Sequence, residues 1–246
     1  METTQAPSPA ETPSGKKVRP RAPSRSTSLT RYTALLDATE ALLQDENPAA
    51  VGLYQIAERA GVPPASVYHF FPTKEAAFLA LAQRHLKGFE QLTRRPIPVK
   101  SLSSWQALTA WDLRNGVDYY NANSPASKLF LGGFGGLETR QADREYVEAV
   151  ARAAYQRLDR IFHMPFLRDP QKKFHTNIQI VDAVLAISFV QNGAITEDYY
   201  EEALTVSVAY CRTFLPEHLE LRPQIREAID QGEASVSLWD AAEQDQ

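Results

Sequence analysis

Between Thr30 and Pro216 the apolar residues recur at helical spacing, about every 3.6 residues, and proline, glycine or Asn-Pro stops interrupt them. Nowhere do they alternate with polar residues as a half-buried strand requires. This patterning constrains the chain to an all-α fold. The longest nearly unbroken apolar run, Ala183 to Val190, falls well short of the roughly 20 residues a spanning helix needs. The N-terminus is rich in Pro, Ser, Thr and Arg and has no apolar leader core. A soluble, cytoplasmic protein is expected. The single cysteine, Cys211, excludes an internal disulfide and a multi-cysteine metal site. The five histidines show no i, i+4 pairing beside carboxylates, so no metal and no cofactor is expected. No catalytic constellation emerges, and an enzyme is not expected.

The net charge of −4 is unevenly distributed. From Lys16 to Arg95 there are twelve Lys/Arg against seven Asp/Glu, whereas residues 96–246 carry fourteen against twenty-one. A basic N-terminal third on an acidic remainder suggests that one end meets nucleic acid, although a solvated basic face has the same composition. Residues 1–28 hold five of the sixteen prolines and few bulky apolar side chains. They read as a disordered basic arm, because too little surface is available to offset the ordering entropy. In this arm Lys16, Lys17, Arg19, Arg21 and Arg25 are uninterrupted by acids. They suit either a solubilising tail or an arm lying along DNA.

Residues 29–95 read as one unit. A first helix begins near Thr30, with Leu35, Ala38, Thr39 and Leu42 on its inner stripe, and ends at Asn47-Pro48. A short second helix spans Leu53 to Ala60, and Gly61 is placed for a left-handed turn. Pro63-Pro64 opens a third helix running to Phe70, with Pro64 at the first helical position. Thr73 and Lys74 then start a fourth helix running to about Leu92, and Pro96 and Pro98 mark a linker. Two short helices joined at a glycine after a longer one make a helix-turn-helix pattern, although any small three-helix bundle could share that spacing.

The stretch Ile56-Ala57-Glu58-Arg59-Ala60-Gly61-Val62, with Ser66-Val67-Tyr68-His69-Phe70-Phe71 and Lys74-Glu75, resembles the N-terminal motif of the tetracycline-repressor (TetR) family. The resemblance covers about residues 30–80. It departs at Gly52 and Pro63, where capping Thr and Ser are usual, and at Ala65, where Gly is common. It implies that Pro64 to Phe70 is the recognition helix of the major groove. Pro64 and Ala65 would open its DNA face, Ser66 and Tyr68 would donate to phosphates, and His69 would lie on the backbone. Lys74 would add an ammonium to a phosphate. This helix contains no Arg, Asn or Gln for bidentate base reading, so operator choice would lean on hydroxyl, imidazole, apolar and shape contacts. Tyr68 could instead pack between the first and third helices.

Residues 96–216 read as a larger helical unit, which the resemblance implies serves effector binding and dimerisation. Its helices carry Trp105 to Tyr120, Ser124 to Phe134, Val147 to Phe162, Pro170 to Asn192, and Thr196 to Phe214. The last two must fold back antiparallel, because only about three residues separate them. Both are apolar beyond one stripe, at Val181, Val184 and Leu185 on one and at Tyr200, Leu204, Val208 and Cys211 on the other. That excess suits a partner across a two-fold axis, as the resemblance also implies, or a hairpin buried within one chain. Ring surface is also abundant: Trp105, Trp111, Tyr119, Phe130, Phe134, Tyr155, Phe162 and Phe166, with Asn115 and Asn177, make a candidate wall for a small apolar or aromatic effector. Ordinary core is the alternative for such rings. The segment Leu131-Gly132-Gly133-Phe134-Gly135-Gly136 lacks the strand and Lys-Ser/Thr of a phosphate loop and reads as a weak, kinked helix or a close backbone approach to a ligand, while the resemblance implies a hinge toward the fourth helix. Residues 217–246, with eight acids against two Arg, form an acidic tail expected to be mostly solvated, with Leu238 and Trp239 as a docking point.

Taken with the resemblance, these features predict a homodimeric, ligand-responsive regulator, most simply a repressor on a pseudo-palindromic double-stranded DNA operator. The rival is a helical small-molecule-binding protein or enzyme that does not bind DNA.

Overall fold

The computed structural model describes residues 19–21, 23, 26–132 and 137–238, with side chains from 147 onward in the last span. Helix α1 (Ser26–Asp45) leads into α2 (Leu53–Ala60), α3 (Pro64–Phe70) and α4 (Lys74–Thr93). Then follow α5 (Trp105–Ala122), α6 (Ser124–Phe130), α7 (Leu137–Ile161), α8 (Pro170–Asn192), α9 (Glu197–Cys211) and α10 (Pro223–Asp230). The α1 helix starts four residues before the expected Thr30, since the Ser/Thr run ahead of it can extend an exposed first turn.

The N-terminal unit closes around Leu35, Leu43, Ile56, Val67, Phe71 and Leu81, all fully buried. Ala57, also buried, lets α2 and α3 cross closely. Gly61 lies at φ +65, and its N–H donates to Glu58 O at 3.1 Å, while Val62 N–H donates to Ala57 O at 3.1 Å. A Cβ at Gly61 would meet no atom, so only the backbone opposes a side chain there. Gly61→Val is therefore expected to lower stability by about 1–2 kcal/mol, the cost of a left-handed L-residue, read as a drop in the thermal midpoint. Gly52 offers no cap to α2, but Gln55 Oε1 accepts its N–H at 2.7 Å. Thr73 Oγ1 caps α4 by accepting from Ala76 N–H at 3.3 Å.

The C-terminal helices pack around a second core that includes Trp105, Leu108, Ile161, Phe162 and Phe174. Gly193, at φ +72, ends α8, and Ser188 Oγ accepts Thr196 N–H at 3.0 Å and bonds Ala194 O at 3.0 Å, which fixes the α8–α9 turn. Two sequence expectations fail here. The linker is not free: Ile97–Pro98 pairs antiparallel with Ser235–Val236, a two-residue ladder too short to leave an alternating pattern. The chain after Pro216 is not a solvated tail up to Leu238. Ile225 of α10 and Val236 are buried, Phe162 bridges Leu221, and Arg222 N–H donates to Ile161 O at 2.9 Å. A few apolar residues at the right spacing outweigh the acidic composition. Leu238 packs partly buried on this core, and Trp239 lies outside the described residues.

Candidate DNA face and effector cavity

On the recognition helix, Val67 and Phe70 point into the core, leaving Pro64, Ala65, Tyr68 and His69 exposed and Ser66 half-buried. Tyr68 does not fill the space between α1 and α3. Tyr32 does, with its ring edge-on to Phe70 at 5.6 Å and tilted on Phe71 at 5.4 Å. Tyr54 on α2 is a further exposed ring. It was missed at the sequence level, although its place opposite Leu53, Ile56 and Ala57 on the helix signals an outward side chain. Arg21 N–H donates to Phe70 O at 2.9 Å, bringing the arm to the end of the recognition helix, with the Arg19 and Arg21 side chains exposed. Lys16, Lys17 and Arg25 lie outside the described residues. Lys74 is also held within the chain: its ammonium donates to Ala49 O at 3.1 Å and to Pro48 O at 3.4 Å, tying α4 to the loop before α2.

A cavity of about 870 Å³ lies between α4, α5, α6, α7, α8 and α9. Four of the expected effector residues line it: Trp105, Asn115, Phe130 and Asn177. The others do not. Trp111 lies under the Arg157 guanidinium at 5.2 Å, and Tyr119 Oη bonds His85 Nδ1 at 3.0 Å. Tyr155 packs on Phe174 at 5.7 Å, Phe162 is fully buried core, Phe166 is 95% exposed, and Phe134 lies outside the described residues. Tyr119 also explains a glycine: a Cβ on Gly88 would sit 2.3 Å from its hydroxyl, so α4 and α5 approach here as only glycine permits.

The residues expected at a dimer interface mostly face inward. Val181, Leu185 and Cys211 line the cavity. Tyr200 is buried, donating to Ala110 O at 3.1 Å beneath the Arg114 guanidinium. Val184, Leu204 and Val208 pack partly buried against the chain's own cores. Burial raises the Cys211 thiol to about 12, so it behaves as an apolar side chain. The outward stripe of α8 is instead half-buried Ile180 with exposed Ala183, Ile187 and Val190, the last two 47% and 71% exposed.

The cavity's polar feature was not foreseen. Arg157, 3% exposed, reaches from α7 with Nε 3.2 Å from Asp112 Oδ1 on α5, and its Nη1 donates to Thr93 O at the end of α4. The Asp112 carboxylate is enclosed by protein yet faces the cavity, so 39% of its side chain remains accessible. Enclosure raises its carboxyl to about 6 against the opposing pull of Arg157, and burial lowers the Arg157 guanidinium. Two more side chains join cavity wall to N-terminal unit. Lys128 of α6, beside the lining residues Leu129 and Phe130, donates to Leu43 O at 2.7 Å, Gln44 O at 3.0 Å and Glu46 O at 3.1 Å. His85 of α4, buried between Tyr119 and Glu40, links α4 to both α5 and α1.

Among the described residues no cluster of His, Cys, Asp and Glu could hold a metal, and no helix is long and apolar enough to cross a membrane. Residues 35–81 match the family of bacterial regulatory proteins of the tetR type. The fold is similar to a TetR-family transcriptional regulator from Streptomyces coelicolor, at 26% identity and a TM-score of 0.55, covering 77% of this chain and 99% of that one. A TetR transcriptional regulator from Rhodococcus sp. RHA1 gives 0.60 at 14% identity, covering 75% and 97%. RolR, solved with resorcinol, gives 0.56 at 15%, covering 83% and 93%. Comparison with curated proteins gives no match. The family match falls on the helix-turn-helix with its exposed recognition face, and the fold of the helical unit behind it is similar to that of TetR-family transcriptional regulators.

Proposed function

We propose that the protein is a homodimeric repressor that holds a pseudo-palindromic operator and releases it when a small, largely apolar effector enters the cavity. The observation that carries this reading is the joining of two sites by hydrogen-bonded side chains. Arg157 reaches from the cavity wall to the last turn of α4, and Lys128 reaches from α6 to the end of α1. A ligand that moves either wall changes how the N-terminal unit is held, and it can shift the equilibrium only by its differential affinity for the two arrangements. This route stands beside the one expected through the glycine segment, of which residues 133–136 lie outside the described residues.

The DNA face comprises Ala65, Ser66, Tyr68 and His69, with Tyr54 alongside and the basic arm at its edge. A dimer through α8 and α9 would set two recognition helices about 34–36 Å apart, one turn of duplex. Its apolar contact is the stripe of Ile180, Ala183, Ile187 and Val190. Ile187→Glu with Val190→Glu places charges in that contact, each costing several kcal/mol if unpaired. Sedimentation is expected to show a micromolar dimer for the parent protein and a monomer for the variant. Its helical circular dichroism should be unchanged, because both positions are exposed in one chain. A parent monomer contradicts the dimer.

The direct experiment is a gel shift with the DNA upstream of the protein's own gene, repeated after loading with cavity ligands. A retarded complex that a ligand dissolves supports the reading. Ligand binding with no complex on any genomic DNA supports the rival, a helical binding protein that has lost its DNA partner.

A further inference from the structure

The cavity is walled mostly by hydrocarbon, and the Asp112–Arg157 pair inside it presents only one of its partners. Arg157 is 3% exposed: its Nη1 is used on Thr93 O, and its Nε and Nη2 are fully enclosed, so a molecule in the cavity cannot draw on the guanidinium. Asp112 is the opposite case, with 39% of its side chain accessible. Its contact with Arg157, 3.2 Å from Nε to Oδ1, is an ion pair without a hydrogen bond, and no other group in the chain donates to either carboxylate oxygen. A molecule that fills this space strips solvent from an ionised acceptor. It must therefore bring the donor itself, because a desolvated carboxylate left without one is costly.

Charge narrows the class further. The other ionisable side chains lining the cavity are Lys87 and Glu90 of α4, Arg152 of α7 and Asp182 of α8. Lys87, Glu90 and Arg152 are exposed and form the rim, while Asp182 is half-buried. An anion would find its accessible cations only at the solvated rim and would stand against Asp112. Enclosure raises the Asp112 carboxyl to about 6 even beside Arg157, so it is ionised at neutral pH at a cost that one guanidinium does not remove. A hydroxyl would satisfy it with one neutral donor. An ammonium brings several donors and a charge, and hydrogen bonds charged on both sides are the stronger ones. Arg157 repels that ammonium, but from farther away than the carboxylate attracts it, so the attraction prevails.

We infer, building on the effector-released reading above, that the cavity takes an organic cation: an apolar body carrying a protonated amine whose N–H groups donate to Asp112. The ligand then shares this carboxylate with Arg157, the side chain that holds Thr93 at the end of α4.

The test is equilibrium dialysis of the full chain at neutral pH against biphenyls that share one apolar body and differ only in the para substituent: aminomethyl, hydroxymethyl, methyl and carboxylate. The aminomethyl compound is expected to bind at least about tenfold more tightly than the methyl compound, with the hydroxymethyl compound between them and the carboxylate weakest. Asp112→Asn alone would leave Arg157 buried without its counter-ion, so the informative variant is Asp112→Asn with Arg157→Met, which removes the pair together. It is expected to bind the aminomethyl and methyl compounds alike. Binding of the alcohol or the methyl compound as tight as that of the amine, tighter binding of the carboxylate, or no binding at all overturns the inference. It also falls if the amine preference survives in the double variant. A gel shift on the same preparation separates this from the regulatory reading. An intact DNA complex with no amine preference removes only the ligand class, whereas an amine preference with no DNA complex removes only the regulator.

Discussion

Binding to operator DNA is expected to weaken by about 10³- to 10⁵-fold between 50 and 200 mM salt if the dimer neutralises roughly six to ten phosphates. The whole chain is acidic, so attraction to DNA must come from the cations grouped at one end. Residues 16–31 contain six Lys/Arg and no acids, and Arg31 and Arg59 are exposed in addition to Arg19 and Arg21. The recognition helix itself brings hydroxyls, an imidazole and no permanent cation, so base reading adds little that salt would leave untouched. Removing residues 1–18 takes away Lys16 and Lys17 but keeps the Arg21 contact with Phe70. The slope of log affinity against log salt should then fall by about 0.9 for each phosphate released. Lys74→Ala should behave differently from an arm substitution. Its ammonium already holds Pro48 and Ala49, so its loss should appear first as lower stability of the N-terminal unit. Anisotropy titrations over a salt series read both effects, and a salt-insensitive complex contradicts the phosphate account.

Lys128→Met is expected to leave operator binding largely intact and to blunt its release by effector. The methylene stem is retained, so packing against α1 survives, while three donated hydrogen bonds to the end of that helix are lost. An ammonium at a helix C-terminus also meets the negative end of the helix dipole. The adjacent Leu129 and Phe130 form part of the cavity wall, so Lys128 is where occupancy reaches α1 most directly. Coupling energies of about 1–3 kcal/mol correspond to about 5- to 150-fold changes in affinity. The variant should lose most of the effector-induced drop in operator affinity, while ligand binding without DNA stays within about twofold, because Lys128 does not line the cavity. If the effector releases parent and variant equally, coupling runs through α4 alone, and Arg157→Met becomes the variant that should uncouple the sites.

Local punctuation made the N-terminal unit legible in the sequence. Gly61 and Pro63-Pro64 fix the ends of α2 and α3, which span Leu53–Ala60 and Pro64–Phe70 as expected from those residues alone. The stripes of α8 and α9 were harder, since a helix apolar on two faces does not say which face meets its own core. Leu185 and Cys211 turn inward and Ile187 and Val190 outward, although all four belong to equally apolar runs. Ring counting failed for a related reason. Composition cannot separate Trp105 on a cavity wall from Phe162 in solid core or Phe166 in solvent. Arg157 and Asp112 were invisible because neither periodicity nor charge pattern joins residues on different helices, and Arg157 lies in a helix with abundant surface charge.

The central claim is that two copies of this chain read one DNA site through α3. Selection of fragmented genomic DNA by the purified full-length protein, at low salt and without added ligand, tests it most directly. The account predicts enrichment of a pseudo-palindrome whose half-sites lie about 10–10.5 base pairs apart, or a multiple of that spacing, centre to centre. Substitution of Ala65 or His69 should shift the enriched sequence. No enrichment, or enrichment of an asymmetric site that ignores both substitutions, contradicts it.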